Sequence, residues 1–514
     1  MTLTPKERAL NKTKIEISKD ILRVIEMSAL SGLGELQYFL YYLHISRLIP
    51  TFGNVPESGQ HITGIYVRQL DDAYKYIIQI IVKHGRNRHL KTASDSLLIN
   101  LDLVHSLTKS VLNINSKFET LSFLTMFNNL EVSGERDQNV KINLKEITED
   151  ERSSKFLYYG VRADMENDRQ KENQKKKNDF LEYFRSEYAP YSDLFLKEFN
   201  VSIDDFIELV DWMVETVILQ SKKNEKDFTH LENGNVDVQD YKTVMLFSVS
   251  MFLKKETLRD EFGEKFNKIL HRLIFKTDEF DEQQLKYNLI ARQPIINKND
   301  YFIISPEILL DSLFVNSHYS LLEASAVKEE YKARYSKVFV DKISNIAKEE
   351  GFEEFTRDFE LYEGRDQIGD LDIILKNCKN EFLLIEAKNH SIPMDVYFHD
   401  LGATERRLTQ LANEWEKKVD KRKKHLDMNY LKYGIGPNFR YIIVTKTPEI
   451  ISHFSAYLIL SLDEFKHWIK RRDIETTFDD IFKSVYNLDS VSFTEKQLAT
   501  MQDDLSTGWR FEKE

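Results

Sequence analysis

Cysteine is almost missing from this chain: 514 residues hold one, Cys378. A single thiol excludes an intramolecular disulfide and a cysteine-based zinc site, and it points to a reducing compartment. With no histidine beside it and no helix start to lower its pKa, Cys378 reads as an inert thiol in a turn. Long apolar runs are lacking too. No stretch of about 18 uncharged apolar residues exists to span a bilayer, and Met1 to Leu10 show no basic start followed by an apolar run, as an export signal would. The chain is therefore expected to be cytoplasmic, with no membrane partner. A Gly-x-x-x-x-Gly-Lys-Ser/Thr loop is absent, so any ATPase or sensor function would need a separate subunit. Neither a nucleophile elbow nor a Cys/His pair is present. The basic cluster Lys83-His-Gly-Arg-Asn-Arg-His89 places its histidines five apart with no acid between them, a spacing that fits no zinc site; it reads as a surface loop.

A positive surplus is the last thing missing. With 72 Lys and Arg against 84 Asp and Glu the net charge is −12, which looks wrong for a protein that meets nucleic acid. The average misleads. Residues 331–475 hold 25 basic and 25 acidic side chains, so the excess of 12 acids (84 − 72) lies wholly outside that segment.

A chain of this length exceeds one hydrophobic core, so two or three domains are expected. The expected class is multidomain α+β. Residues 1–165 read as a helical N-terminal region, with apolar residues at helical spacing in Leu22, Ile25, Ala29 and Leu33 and in Tyr74, Ile77, Ile78 and Ile81. Turn-rich stretches at 52–59 and 133–139 interrupt it without a repeat period. The polar, charged run at 166–178 reads as a solvated helix or connection. Residues 175–325 form a second mainly helical unit, in which Ser202-Ile-Asp-Asp205 has the spacing of a helix cap before the apolar face Phe206, Leu209, Val210 and Met213. A small hairpin near 293–305 closes it. From 331 to 475 helices alternate with strands, the pattern of helices on a mixed sheet, with helices expected at 336–350, 404–426 and 463–470 and strands at 355–361, 371–375, 382–387, 441–445 and 457–460. A tail, 476–514, follows.

The chemistry sits in that third segment. Two apolar strands flank the polar turn Lys376-Asn-Cys-Lys-Asn380, so a hairpin would bring Asp372 opposite a residue between Leu384 and Glu386. Side chains alternate across a strand, so Glu386 and Lys388 share one face. Carboxylates and an ammonium at the end of apolar strands are costly unless they pair, bind a metal or do chemistry. Asp372 and Glu386 are hard oxygen ligands suited to Mg²⁺ or Mn²⁺. Lys388 beside them suits a water to be oriented or a phosphorane-like transition state to be stabilised. The helix after this motif carries Lys417, Lys418, Lys421, Arg422 and Lys424 outside its apolar stripe of Leu408, Leu411, Ala412, Trp415 and Val419, a rail for nucleic-acid phosphates.

Gly369-Asp370-Leu371-Asp372, followed fourteen residues later by Glu386-Ala387-Lys388, resembles the PD-(D/E)XK nuclease superfamily of restriction endonucleases, junction resolvases and defence nucleases. The resemblance covers roughly 331–470, about a quarter of the chain. It implies a restriction-endonuclease-like α/β/α core at 331–475 and catalytic roles for Asp372, Glu386 and Lys388. Gly-Asp-Leu-Asp in place of Pro-Asp leaves the role of Asp370 open. By the same resemblance, Asp341 stands nearest to the acid that many members carry in the first helix, and Gln410 to the glutamine that some carry after the lysine. It further implies metal-dependent hydrolysis of phosphodiesters, in DNA before RNA, and a homo-oligomer, since members often pair to cut both strands. The expected function is an antiphage or restriction effector regulated by the helical region; a repair nuclease acting on structured DNA and a catalytically silent adaptor are the alternatives.

Overall fold

The computed structural model describes residues 3–48, 57–86, 99–126, 131–133, 139–141, 150–152, 154–156, 158, 159, 162, 177–229, 250–283, 288–389, 401–471, 478 and 481. Along the chain come α1 (Pro5–Ser28), α2 (Leu33–Leu48), α3 (Glu57–His84), α4 (Leu101–Met126), the pair β1 (Glu131–Ser133) and β2 (Asn139–Lys141), then α5 (Lys177–Tyr188), α6 (Ser192–Phe199) and α7 (Ile203–Thr229). Next are β3 (Phe252–Lys254), α8 (Lys255–Phe262), α9 (Asn267–Leu273), β4 (Ile295–Lys298), β5 (Tyr301–Ile304) and α10 (Pro306–Glu323). The remainder is α11 (Lys328–Glu349), β6 (Phe352–Glu363), β7 (Asp366–Asn377), β8 (Phe382–Lys388), α12 (Leu401–Leu411), α13 (Lys417–Asn429), β9 (Phe439–Thr445), β10 (Leu458–Ser461) and α14 (Leu462–Arg471).

These elements form an α+β protein of two compact units, neither contiguous: Leu10–Leu121 with Lys177–Tyr331, and Met1–Ala9 with Ser122–Lys176 and Lys332–Glu514. The sequence suggests two successive helical units; the structure gives both segments one core. The middle of α3 explains this. Tyr76, Ile77, Ile78, Ile80 and Ile81 are all buried, and a helix apolar all round needs cover on every side. Residues α1, α2 and α4 cover part of it, and Leu289, Ile290, Ile303 and Ile308 complete the same cluster. The polar Gln79 is satisfied there, donating to Asn288 at 3.0 Å and accepting from the Ile290 amide at 2.9 Å.

Local readings fare unevenly. In α1 the buried stripe is Ile17, Ile21 and Val24, whereas Leu22 is 57% exposed, so the face is rotated from the one expected. Glu57, Ser58 and Gly59 belong to α3, not to a turn; the rest of 52–59, the turn 134–138 and 166–176 lie outside the described residues. Lys83 and His84 are tied to Glu282 at 2.7 and 2.6 Å, which leaves the cluster no surface loop at that end; 87–89 lie outside the described residues. The hairpin β4–β5 forms, and β3 joins it to make three antiparallel strands. The cap at Ser202 is reciprocal: Asp205 N donates to Ser202 Oγ and Ser202 N to Asp205 Oδ2, both at 3.0 Å. Ser202→Ala is expected to lower stability by about 1 kcal/mol, read from the midpoint of a urea titration.

In the second unit a five-stranded sheet runs β10-β9-β8-β7-β6, antiparallel through β6, β7 and β8 and parallel through β8, β9 and β10. Alternate residues build a core on each face. Ile373, Leu375 and Ile385 pack against Phe339 and Ile343 of α11 and Phe465 and Trp468 of α14. Ile374, Leu384 and Ile443 pack against Leu411, Trp415 and Val419 on the other side. The result is three layers, helix on sheet on helix. Among the described residues no helix is long and apolar enough to cross a membrane.

Candidate functional site

The β7–β8 turn sets the register that makes the site. Asn377 Oδ1 accepts from the amides of Lys379 at 2.9 Å and Glu381 at 3.0 Å. Asn380 takes the left-handed conformation, φ 61°, which asparagine tolerates better than most residues. Ile373 then faces Ile385 and Ile374 faces Leu384, and one step further Asp372 and Glu386 are neighbours. The Ala387 amide donates to Asp372 Oδ2 at 2.7 Å. Glu386 points with Leu384 toward α13, and Lys388 Nζ stands 3.0 Å from Glu386 Oε2. Asp372, Glu386 and Lys388 therefore come together, as the alternation of the strands predicts.

Glu386 is 2% exposed, yet three groups hold it ionised. Besides Lys388, the Arg422 guanidinium and the Tyr441 hydroxyl both donate to Oε1. Burial pushes its pKa up, but the two cations and the hydroxyl outweigh burial and bring it below the ordinary carboxylate range. Asp372 goes the other way. Burial raises it most, the like charges of Glu386 and Asp370 add to that, and Lys388 and the Ala387 amide only partly offset the rise.

The helix that delivers Arg422 is continuous with α12 through a π-helical stretch, Ala412–Glu416, a feature common at functional sites. Leu411, Trp415, Val419 and Leu426 form its inward stripe, and Arg422 falls on that stripe rather than on the phosphate rail assigned to it from sequence. Space for the guanidinium comes from Gly369, φ 145°, where a Cβ would lie 2.0 Å from Arg422 Nε. This is why Gly precedes Asp370. Sequence reading missed Arg422's place and missed Tyr441. The inward spacing 415, 419, 422, 426 was a usable signal for the first; the second depends on β9 lying parallel beside β8.

The other candidates lie as follows. Asp370 is 57% exposed and 3.6 Å from Arg422 Nη2. Asp341 is on α11, across the sheet from Glu386, in a 2.5 Å ion pair with Arg357, which also binds Glu354; nothing brings it to the acids. Gln410 is exposed and donates at 3.4 Å to Glu414 of its own helix. Lys417, Lys418, Lys421 and Lys424 are exposed along α13, with Lys417 on Asn413 at 3.1 Å and Lys424 on Asp420 at 2.6 Å. Cys378 is exposed in the turn.

A hard divalent ion needs only one or two carboxylates when water and phosphate complete its shell. Asp372 and Glu386 meet that demand; burial raises Asp372 most, and the smaller contribution from the Glu386 and Asp370 charges is what a cation would relieve. Among the described residues no three His, Cys, Asp or Glu side chains gather as a metal cage; an ion held by these two acids would need water and substrate oxygens to complete its shell. The opposite shifts have opposite consequences for stability. The folded state holds the Asp372 proton more tightly than the unfolded chain does, so stability falls as pH rises from the unfolded value through the raised folded one. Glu386 contributes stability above its unfolded pKa, and that is lost as pH falls through the lowered folded value. Asp372→Asn is thus expected to raise the melting temperature at pH 7, and Glu386→Gln to lower it by leaving two cations without their carboxylate. Calorimetry at pH 7 reads both; a less stable Asp372→Asn would show that the aspartate is structural.

Compared with protein-family models, curated proteins and solved structures, the chain matches none.

Proposed function

We propose that this protein is a metal-dependent nuclease of the PD-(D/E)XK type, its catalytic core within 331–475. The observation that carries the reading is the convergence of Asp372, Glu386 and Lys388 on adjacent antiparallel strands. The order helix, three antiparallel strands, long helix, parallel strand supports it by agreeing with the restriction-endonuclease-like core. When bound by Asp372 and Glu386, Mg²⁺ or Mn²⁺ would supply Lewis-acid stabilisation of a phosphoryl oxygen and a more acidic water. Lys388, 23% exposed and 3.0 Å from Glu386 Oε2, would orient the attacking water or stabilise the charge that builds on the phosphate. Lys417, Lys418, Lys421 and Lys424 would follow the nucleic-acid backbone, losing hold as salt rises.

The test is gel cleavage by the full chain of linear duplex, branched duplex, single-stranded DNA and RNA, each with Mg²⁺, Mn²⁺ or EDTA. Cutting of duplex DNA that EDTA stops is expected. Cutting of branched DNA alone would move the reading to a repair nuclease. Folded protein that cuts nothing would favour a binding adaptor, a reading to which one observation lends weight: both oxygens of Glu386 are engaged by side chains of the protein itself. A defence or restriction role, a homo-oligomer and a separate sensor or ATPase subunit belong to the same proposal, and sedimentation with and without DNA tests the oligomer.

A further inference from the structure

We infer that Arg422 is a working residue of this site: it occupies the cation position at Glu386 and, when a divalent ion takes that position, turns to the non-bridging oxygens of the substrate phosphate. The inference rests on the nuclease reading above. Four observations lead to it. Arg422 is a charge on the inward stripe of α13, among Trp415, Val419 and Leu426, a placement that costs free energy unless the charge is paired, and its partners are acids of this site. Its fork reaches two acids at once, Nη1 on Glu386 Oε1 and Nη2 3.6 Å from Asp370 Oδ1. Its Nε is buried with no acceptor, whereas buried donors are ordinarily satisfied; a donor remains for a third oxygen. The backbone also makes room for it, through Gly369.

Formal charge agrees with an exchange. Asp370, Asp372 and Glu386 against Lys388 and Arg422 sum to −3 + 2 = −1. A divalent ion makes the site +1, and one phosphodiester then makes it neutral. Arg422 and Lys388 both sit on Glu386, an acid the ion would claim, and of the two Arg422 also carries a buried Nε with no acceptor. A planar guanidinium displaced by that ion matches two oxygens of a phosphate, which a lysine ammonium cannot do.

Mn²⁺ binding followed by electron paramagnetic resonance, and duplex DNA binding followed by anisotropy in non-catalytic Ca²⁺, test this on the full chain. With the competing charge at Glu386 removed, Arg422→Gln is expected to bind Mn²⁺ roughly tenfold more tightly and DNA roughly tenfold more weakly. Arg422→Lys keeps a charge beside Glu386, so its Mn²⁺ affinity should stay near the parent value while DNA binding falls as in the Gln variant. Circular dichroism checks each fold; if Arg422→Gln does not fold, the Lys variant carries the test through its DNA affinity. Unchanged or weaker Mn²⁺ binding in a folded Arg422→Gln, or DNA binding unchanged in either variant, overturns the inference. A parent protein that binds no Mn²⁺, indistinguishable from Asp372→Ala, removes the nuclease reading instead.

Discussion

Asp372→Ala and Lys388→Ala are each expected to cut metal-dependent cleavage by at least about a hundredfold, the scale on which a single charge-stabilising group acts in a transition state, while the protein stays folded. Separating the two effects is what gives the pair its value. Removing Asp372 takes away a buried carboxylate that burial and its acidic neighbours destabilise, although the Ala387 amide loses its acceptor, so loss of activity is expected without loss of structure. Removing Lys388 still leaves Glu386 with Arg422 and Tyr441, so the buried carboxylate keeps partners. Initial rates on duplex DNA in Mg²⁺, set beside melting curves for each variant, supply the check. A variant that melts like the parent and cuts at the parent rate would remove its residue from the mechanism.

That these residues could be named from sequence has a physical cause. A hairpin with a polar turn between apolar strands fixes register locally, and period-two alternation fixes the face, so Asp372, Glu386 and Lys388 follow from about twenty contiguous residues. The order of strands and helices in this segment was legible from their apolar periods, while α11 starts at Lys328 rather than 336 and β7 at Asp366 rather than 371. What was illegible depends on distance along the chain. Tyr441 meets Glu386 only because β9 runs beside β8, and Arg422 only because α13 is rotated to face it, though the lysines around it made the whole segment look solvated. Asp341 satisfies the expected type and place of a helix acid, yet Arg357 on β6 claims it. The division into units was hidden most deeply. Phe156, Tyr159 and Arg162 carry no sequence mark that they pack with a segment some 300 residues later, and that is where the largest stability effect is expected.

Arg162→Met should destabilise the unit that holds the site by about 3–5 kcal/mol, a fall of roughly 10 °C in its melting temperature. Arg162 and Glu464 are both fully buried. Arg162 donates Nε to Glu464 Oε1 and Nη2 to Glu464 Oε2, each at 2.6 Å, and Nη1 to the Glu449 carbonyl at 3.1 Å. Its guanidinium also lies 4.7 Å from the centre of the Phe478 ring. Glu464 serves two ends at once: with Ser461 it forms the reciprocal cap of α14, Ser461 N donating to Glu464 Oε2 at 2.7 Å and Glu464 N to Ser461 Oγ at 3.3 Å. Losing Arg162 therefore removes the charge that neutralises a buried carboxylate at the very start of α14, one of the two helices that cover that face of the sheet. Most of the cost is that stranded charge, so Arg162→Met combined with Glu464→Gln, which keeps the cap acceptor and removes the charge, should recover more than half of the loss; no recovery would mean that Arg162 acts through packing alone. The same pair predicts that a fragment beginning near residue 326 is unstable although it contains every strand of the five-stranded sheet, because Arg162, which binds both oxygens of Glu464, lies upstream of the cut. Deleting the N-terminal region would then abolish cleavage by unfolding the site, and a regulatory role for that region has to be tested by substitutions on its own surface that leave Arg162 in place.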